Sequence, residues 1–442
     1  MKKGLNKNII KEISRTKDEP QWMTDFRLNA YDVFKSKPMP KWGPDLSDLD
    51  LSGLTYYIPP QTEKVSSWEE VPSDIRKVYD KLGIPEAEKK VLAGVSGQFE
   101  SEVFYAKIKD DLKSRGVIFT DTDSALKEYP ELFKKYFMTK CVPVGDNKFS
   151  ALHGAVWSGG SFLYVPKGVK VDLPLHTYFR MNDGSTGQFE HTLIIAEEGS
   201  EVHYIEGCTA PIRLASSLHS AVVEIFVHDN ASVKYSTIQN WSNEVFNLNT
   251  KRAVVYKNGS IEWVGGSLGS KKTMLYPGSF LMGEGARSKH INITMAGRGQ
   301  WKDAGAKVIH FASDTRSQII SKNIIKDGGR ANYRGLVKVI KGAKNVVSHT
   351  QCDTLMLDSR SISSSYPVIQ VGDPSAKVGH EAKVGKIGDE ELFYLASRGI
   401  KQAEAMSLVV AGFIDPVTKA LPLEYAVELN RLMEMEIENS IG

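Results

Sequence analysis

The feature that most constrains the fold is a repeated unit of turn and strand in the middle of the chain. Each unit begins at a residue typical of tight turns and continues with apolar and polar residues in alternation, which is the period of a β-strand. Most successive starts lie about 28 to 31 residues apart, and two of them are closer. The units begin at Gly199, Asn230, Asn258, Gly285, Asp314, Gly328, Gly342 and Asp373. This periodicity indicates strands that stack coil upon coil, because one coil cannot bury its inner face alone.

We therefore predict a mainly β protein in which residues 146–385 form a β-solenoid, most simply a parallel β-helix. A helical solenoid would repeat a 3.6-residue period, and a propeller blade would need about 40 residues per unit. The alternative is a β-sandwich or jelly roll, whose turns fall at about 8 to 12 residues without a longer period. The longer period favours the solenoid.

Helical signals flank the repeats on both sides. Residues 1–145 are predicted to be mostly helical, with helices in the segments FRLNAYDVF (26–34), DIRKVYDKL (74–82) and SALKEYPELFKKYF (124–137). Residues 386–442 are predicted to form a small helical domain, with one helix ending at Gly412 and the next beginning at Pro422. Its apolar residues predict packing on the solenoid or on a partner.

Composition excludes several classes of protein. The 442 residues include 56 Lys and Arg against 53 Asp and Glu, and the signs are interspersed, so the chain has no nucleic-acid-binding face. It contains no secretory signal and no apolar run long enough to span a bilayer. Three widely spaced cysteines argue against disulfides and suit the reducing cytoplasm. The phosphate-loop pattern is absent, so the chain should not hydrolyse nucleotide by itself.

The strongest chemical constellation lies at the end of the repeats. The segments SHTQCDTLMLDS and VGHEAKVG place His349, Cys352 and Asp353 one coil before His380 and Glu381. Stacking should bring these side chains close together, and thiolate, imidazole and carboxylate form a mixed site suited to iron or zinc. The alternative is that Cys352 is a small buried hydrophobic residue and His380 a hydrogen-bonded turn residue.

A second group of candidates lies earlier in the repeats. Cys208 has nearly the same phase in its repeat as Cys352, although it also fits a packing residue at a strand end. Cys141 has no acidic or histidine neighbour and is assigned no function. Polar or large side chains interrupt strand-like runs at Arg180, Asn182, Gln239, Trp241 and Lys257. They either face solvent, as half of every strand does, or line a polar interior.

Several long segments carry a specific resemblance that covers nearly the whole chain. They include GVIFTDTDSALKEYPELFKKYF, AVWSGGSFLYVPKGVKVDLPL, GQFEHTLIIAEEGSEVHYIEGCTAP, IQNWS, DAGAKVIHFA, YRGLV and TQCDTLM. These segments are similar to the SufBD family, the scaffold subunits of the SUF iron–sulfur cluster assembly system, and within it to the SufB type.

The resemblance implies a fold and a set of partners. The fold is a right-handed parallel β-helix with helical flanks, whose C-terminal helical domain docks an ATP-binding-cassette ATPase, SufC. The partners are SufC, the paralogue SufD or a second copy of the chain, and a cysteine desulfurase with its sulfur-transfer protein. The chain would then be a scaffold and not an enzyme, holding a nascent iron–sulfur cluster, with reduced flavin (FADH2) as an electron source in the complex.

The resemblance also implies roles for the candidate residues. Cys208 would accept persulfide sulfur, and Cys352 would receive it and build the cluster with His380 and Glu381 at the boundary with the paralogue. Arg180, Asn182, Gln239, Trp241 and Lys257 would line the path between the two cysteines. Cations such as Lys257 or Arg180 would favour the Cys208 thiolate.

One departure from the family concerns the N-terminal region. Many relatives carry a cysteine-rich motif there, whereas the segment from Val91 to Tyr136 contains no cysteine, so we expect no cluster site in it. Two alternatives of other kinds remain at this point. One is a β-helix enzyme acting on polysaccharide, and the other is a structural, SufD-like paralogue without cluster chemistry.

Overall fold

The structure is a computed structural model, and it describes residues 3–59, 92–181, 184–210 and 216–438. Two long sheets wind into a β-solenoid of about eight turns, with helices before and after it. The helices are α1 (Lys7–Thr16), α2 (Gln21–Ser36), α3 (Asp110–Ser114), α4 (Thr122–Glu128), α5 (Pro130–Tyr136), α6 (Lys148–Val156), α7 (Asp389–Ser397), α8 (Gln402–Thr418) and α9 (Leu423–Glu438). Of these helices, none has the length and apolar character of a membrane span.

The first sheet follows the order β2-β1-β5-β8-β11-β13-β16-β18-β20-β22. Its strands are β1 (Gly94–Phe99), β2 (Glu102–Ile108), β5 (Leu175–Arg180), β8 (Glu201–Thr209), β11 (Ser232–Asn240), β13 (Ser260–Leu268), β16 (Arg287–Ala296), β18 (Arg316–Ile325), β20 (Val347–Met356) and β22 (Lys377–Lys386). From β1 through β5 to β22 every neighbouring pair is parallel.

The second sheet follows the order β21-β19-β17-β14-β12-β10-β7-β4-β3, with β6, β9 and β15 beside it. Its strands are β3 (Ile118–Asp121), β4 (Ser161–Val165), β6 (Gly187–Gln188), β7 (His191–Ala196), β9 (Ser217–His219), β10 (Val222–Val227), β12 (Val245–Val255), β14 (Lys272–Leu275), β15 (Gly278–Leu281), β17 (Trp301–His310), β19 (Arg330–Val339) and β21 (Ile362–Val371). The chain alternates between the two sheets, which are parallel except for the pairs β1–β2 and β3–β4, so the solenoid is confirmed and the sandwich alternative is wrong.

The turns between coils explain why the repeat is visible in the sequence. Asn230, Asn258 and Asp314, three of the predicted unit starts, have φ angles of 58°, 52° and 59°. Gly199 and Gly285 occupy the same left-handed region, at 69° and 72°. Glycine and short polar side chains adopt this conformation at low cost, whereas branched residues do not. The turn geometry therefore selects the residue types that mark each coil.

The start of the solenoid differs from the expected boundary near residue 146. Three strands precede that residue, and β1 pairs in parallel with β5. Helix α6 follows it, closed at its N-terminus by a capping box of Asn147 and Ser150. Every residue of α6 from Phe149 to Val156 is buried, so the helix has no polar face and no amphipathic period to reveal it. At the other end, β22 stops at Lys386, next to the expected boundary.

The predicted helices correspond to α2, α4, α5, α8 and α9, with two differences. The segment 124–137 forms two helices, because Pro130 starts α5 and cannot continue α4. Helix α8 runs past the predicted stop at Gly412 to Thr418. The predicted helix 74–82 lies outside the described residues.

The C-terminal helices pack on the outer face of the first sheet. Val410 and Ile414 of α8 and Leu429 of α9 form one buried cluster with Val264 and Ile291 of the solenoid. This contact accounts for the continuation of α8 through Gly412, because tertiary packing outweighs the weak helix preference of one glycine. The predicted packing of this region on the solenoid is confirmed.

A buried chain of hydrogen bonds connects α6 to the second sheet. His153 Nδ1 donates to the carbonyl of Ser220 at 3.0 Å, so its Nε2 accepts from His191 Nδ1, also at 3.0 Å. His191 Nε2 then carries no hydrogen and lies 3.2 Å from the carboxyl of Glu224. Burial raises the pKa of Glu224 to about 8 and lowers the pKa of His191 to about 3. Both groups are therefore neutral near pH 7.

We expect Glu224 to contribute stability that is lost as pH rises from about 4.5 to about 8, whereas His153 and His191, whose pKa values are lowered by burial, act in the opposite direction below about pH 6.5. In that window the folded Glu224 keeps a proton that the unfolded side chain releases, so the free energy of unfolding decreases by up to about 5 kcal/mol. Denaturant unfolding of wild type and Glu224→Gln across this range measures the effect. The amide does not titrate, so the stability of wild type relative to the variant should fall across this range. Parallel profiles for the two proteins would contradict the assignment.

Candidate functional site

The interior of the solenoid is apolar toward one end of each coil and polar toward the other. On β8, Val202 and Tyr204 belong to the central apolar cluster, and Glu206 and Cys208 continue the same inward face of the strand. Across the interior, the second sheet contributes buried polar side chains at Glu190, Thr192, His219, Asn247, Asn249 and Lys251. Cys208 therefore lies in the polar part of the interior.

Parallel register stacks the inward residues of the first sheet into two adjacent columns. We call them the Cys208 column and the Cys352 column. The Cys208 column contains Cys208, Gln239, Ser267, Thr294, Asn323 and Thr354. The Cys352 column contains Glu206, Thr237, Gly265, Asn292, Ser321 and Cys352. The two cysteines thus lie at opposite ends of a continuous polar strip five strand spacings long, or about 24 Å.

A small cavity opens on this strip between Thr237 and Asn292. Its volume is about 20 Å³, and Gly265 leaves the space free because it has no side chain. A Cβ atom at Gly265 would lie 2.9 Å from Asn292 Oδ1. A cavity of this size holds one water molecule or a group of similar size.

Cys352 lies in the last full coil and contacts His380 of the next strand. Its Sγ is 3.3 Å from His380 Nε2 and 3.6 Å from Ser365 Oγ. Burial raises the pKa of Cys352, and the hydrogen bond from Ser365 offsets part of that rise. Burial and the nearby His349 lower the pKa of His380, so its imidazole is neutral and free to act as a base or ligand. The stacking of coils brings this pair together, as the sequence predicted.

Glu381 lies on the other face of the same strand. Successive side chains of a strand alternate between faces, so Glu381 points away from Cys352 when His380 points toward it. It lies 3.6 Å from His349, and both side chains are about half exposed. Asp353 is also directed away from the thiol and pairs with Lys322 at 2.9 Å. The expected set of Cys352, His380 and Glu381 around one point is therefore corrected to Cys352 with His380.

Cys208 is fully buried and has a neutral thiol. Its Sγ lies 3.7 Å from Glu206 Oε1. Burial raises the pKa of Cys208 well above its ordinary value, and the carboxylates of Glu206 and Glu190 raise it further. The nearest interior cation is Lys251, but its ammonium donates to Glu206 at 2.9 Å and to Tyr235 at 2.8 Å. The expectation of a thiolate favoured by neighbouring cations is not met in this interior.

The predicted path residues divide into two groups. Gln239 is buried in direct register with Cys208, and Trp241 is buried with its ring 4.3 Å from that of His219. Lys257 is exposed on the turn after β12, where its backbone N–H donates to Asp229, so its placement in the interior is corrected. Lys251, six positions earlier, does lie in the interior.

Arg180 and Asn182 complete the predicted path. Arg180 pairs in register with Thr209, one residue beyond the position of Cys208, so its side chain lies on the opposite face of the sheet. It is half-buried, and its guanidinium donates to Thr209 Oγ1 at 3.3 Å. Its expected interior position is therefore also corrected. Asn182 lies outside the described residues.

Two residues beside Cys208 were not predicted from the sequence. Among the described residues, Glu190, Cys208 and His219 form the one group of three potential ligands whose ligand atoms lie within 4.8 Å of one another. His219 Nε2 is hydrogen-bonded to Glu190 Oε1. Glu190 lies between β6 and β7, 18 residues before the cysteine, and His219 ends β9, 11 residues after it, so only the stacking of coils reveals the group.

These features define a class of protein: a β-solenoid with buried thiols and side chains of metal-ligating types along a polar interior. Two protein-family models match this chain. The model for the SufBD core domain of SUF system FeS cluster assembly matches residues 179–413, and the model for the SufBD protein N-terminal region matches residues 11–177. The chain belongs to the SufBD family, which acts in iron–sulfur cluster assembly.

Two relatives support this assignment over the full length of the chain. Iron–sulfur cluster assembly SufBD family proteins of Staphylococcus aureus strain MRSA252 and of Staphylococcus saprophyticus are each 57% identical over 440 residues. The alignment covers 100% of this chain and 94% of each relative. Membership of the SufBD family argues against the alternative of a β-helix enzyme acting on polysaccharide.

Proposed function

We propose that this chain is a SufB-type scaffold on which iron–sulfur clusters are assembled in the cytoplasm. The observation that carries the proposal is the polar interior strip with a buried cysteine at each end. The contact between Cys352 and His380 favours a cluster-building SufB-type member over a structural SufD-like paralogue. Three free thiols suit a reducing compartment.

In this proposal, sulfur moves from Cys208 to Cys352 through the interior. Cys208 takes sulfane sulfur from the persulfide of a cysteine desulfurase and its sulfur-transfer protein, and the donor leaves as a thiol. A hydrosulfide ion then attacks the outer sulfur of the Cys208 persulfide and leaves with it as HSS−, which restores the Cys208 thiol. Cys352 takes the outer sulfur from HSS−, and hydrosulfide is freed again. Hydroxyl and amide groups of Ser267, Thr294 and Asn323 supply hydrogen bonds to a polar sulfur species, which an apolar interior would not. Reduction of sulfane sulfur to sulfide needs two electrons, which reduced flavin (FADH2) supplies in the complex.

The cluster is proposed to form at Cys352, with further ligands from a partner. Cys352 and the neutral imidazole of His380 provide two ligands. The last strands, β21 and β22, each pair with one neighbour among the described strands. They expose apolar side chains at Ile362, Val368, Ile369, Val371 and Val384. An open edge with apolar side chains favours pairing with SufD or a second copy of the chain, which would place Glu381 at the boundary.

The C-terminal helices are the proposed docking site of the SufC ATPase. While α8 and α9 cover the solenoid with one face, they leave apolar side chains exposed on the other. These are Leu408 of α8 and Leu423 and Val427 of α9, and the preceding helix α7 exposes Phe393 and Tyr394 as well. ATP binding by SufC would move these helices and open the buried cysteines, while the chain itself catalyses no hydrolysis.

Two sulfur sources test the function and the role of Cys208 together. Wild type, Cys208→Ala and Cys141→Ala are reconstituted anaerobically with Fe2+, SufC and SufD, using either desulfurase-derived sulfur or free sulfide, and visible absorption follows the cluster. We expect Cys208→Ala to lose assembly from the desulfurase and to keep assembly from sulfide, which bypasses the acceptor. Cys141→Ala should match wild type with both sources.

Two results would count against the proposal. If wild type built no cluster with either source, the scaffold function would be wrong. If Cys208→Ala assembled cluster from the desulfurase as well as wild type does, the acceptor role of Cys208 would be wrong, although Cys352 would keep its own.

A further inference from the structure

The group formed by Glu190, Cys208 and His219 has the composition of a metal site. One ligand atom from each residue lies within 4.8 Å of the others, and all three side chains are buried. Thiolate, imidazole and carboxylate are the ligands of Zn2+ and Fe2+ in proteins. Two ligands on one tetrahedral ion stand about 3.3 to 3.8 Å apart. Small side-chain shifts would therefore close the group around an ion.

A network of amides fixes which nitrogen of His219 faces the group. The backbone N–H of Ala221 donates to Asn249 Oδ1 at 2.9 Å, so Asn249 Nδ2 donates to Asn247 Oδ1 at 2.8 Å. That oxygen lies 2.8 Å from His219 Nδ1, which therefore carries a hydrogen and donates it. Nε2 faces Glu190. Metal-ligating histidines are held in this way, with the second ring nitrogen donating to a fixed oxygen.

The charges around the group also favour a cation. Lys251 is committed to Glu206, at 2.9 Å. Glu190 Oε2 is buried without a hydrogen-bond partner among the described residues, so one carboxylate oxygen is available to an ion. The Cys208 thiol is neutral because burial and two carboxylates oppose its ionisation. A bound divalent ion would deprotonate it, because coordinated thiols ionise outright.

We propose that Cys208, His219 and Glu190 bind a divalent first-row metal ion, Fe2+ or Zn2+, inside the solenoid. Binding releases to solvent the thiol proton of Cys208 and the proton shared by His219 and Glu190, and the thiolate and the carboxylate balance the ion's charge. Three protein ligands leave a fourth position open to an incoming group. The ion keeps the Cys208 thiol ionised and therefore able to attack a persulfide. This role in sulfur acceptance rests on the proposed function.

Cobalt titration of the full chain tests the site without a sulfur donor or a partner. A Cys352→Ser background removes the other candidate thiolate, and Co2+ is added anaerobically. We expect one bound ion with thiolate-to-cobalt charge-transfer absorption, which disappears when Cys208→Ser is added. Glu190→Gln and His219→Gln should each weaken Co2+ binding by at least about tenfold. Mutating a residue that only hydrogen-bonds to a metal ligand already costs about that much affinity.

Cys141→Ser in the same background is the matched control. Cys141 is also fully buried, and its thiol donates to the carbonyl of Arg252 at 3.2 Å, a bond that a serine hydroxyl reproduces. This variant should keep the charge-transfer absorption. Competition of bound Co2+ by Fe2+ and by Zn2+ then identifies the preferred ion. Thermal unfolding of each variant separates loss of the site from loss of the fold.

Absence of thiolate charge transfer in the Cys352→Ser protein would overturn the inference, as would absorption that survives Cys208→Ser. X-ray absorption of the zinc-loaded Cys352→Ser protein needs no further variant, and it should show one sulfur ligand and an imidazole. A chain that binds Co2+ here but builds no cluster with its partners refutes only the proposed function. A chain that builds cluster from both sulfur sources but binds no Co2+ here refutes only this inference.

Discussion

Replacing Cys352 by alanine is expected to abolish cluster formation with either sulfur source. Cys352 is the proposed cluster ligand at the end of the polar strip, and its loss leaves His380, 3.3 Å away, as an imidazole without its sulfur partner. Free sulfide bypasses Cys208 but not Cys352. Cys352→Ala should therefore fail to assemble cluster from sulfide, whereas Cys208→Ala should succeed. Loss of a direct ligand should cost at least about tenfold in bound cluster. Visible absorption and iron and sulfide content of the complex with SufC and SufD measure the loss.

Two controls make this result specific. Cys141→Ala removes another buried thiol and should assemble cluster as wild type does. Ser365→Ala removes the hydroxyl 3.6 Å from Cys352 Sγ, and with it the contact that lowers the pKa of the thiol. It should shift assembly toward higher pH without abolishing it. Normal cluster content in Cys352→Ala would refute the assignment of Cys352 as the assembly site.

Replacing Gly265 by valine is expected to block sulfur delivery while leaving both cysteines in place. The new side chain would fill the cavity of about 20 Å³ on the Cys352 column, and its Cβ would lie 2.9 Å from Asn292 Oδ1. Assembly from the desulfurase should fall toward the level of Cys208→Ala, whereas assembly from sulfide supplied at Cys352 should persist. Persulfide mapping by mass spectrometry should find sulfur retained on Cys208 and lost from Cys352.

Gly266→Val is the matched control for this prediction. Gly266 faces the outside of the same strand, where a Cβ would lie 3.1 Å from Leu429 Cδ1 of α9. Both substitutions overpack a tight site and should destabilise the fold by about 1 to 3 kcal/mol. Only the inward one should interrupt sulfur transfer. Equal assembly in the two variants would show that sulfur does not pass Gly265.

The fold could be predicted because the signals that determine it lie within short segments of the sequence. Asn230, Asn258 and Asp314 mark turns that need a left-handed residue, and the alternation between them is the period of a strand. These signals repeat in every coil and so reinforce one another. Helix α6 was missed because it is buried on all sides and therefore lacks an amphipathic period. The stop predicted at Gly412 was wrong because packing of α8 on the solenoid outweighs one glycine.

The candidate site was predictable only where coil spacing determined it. Cys352 and His380 meet because they are one coil apart and have the same inward phase. Glu381 was grouped with them although it is adjacent to His380 and therefore lies on the opposite face. Lys257 was placed in the interior, yet the structure puts it on an exposed turn and Lys251 inside. A shift of a few residues decides which side of the sheet a side chain occupies.

The sequence by itself determined the coil repeat, the helical flanks and the pairing of Cys352 with His380, because each depends on turn chemistry and on spacing along the chain. Tertiary structure alone decided the two polar columns, the cavity at Gly265 and the meeting of Glu190, Cys208 and His219. These features depend on the register between coils and on which face of each strand turns inward. Both are set by the packing of the two whole sheets against each other, which no single segment of the chain encodes.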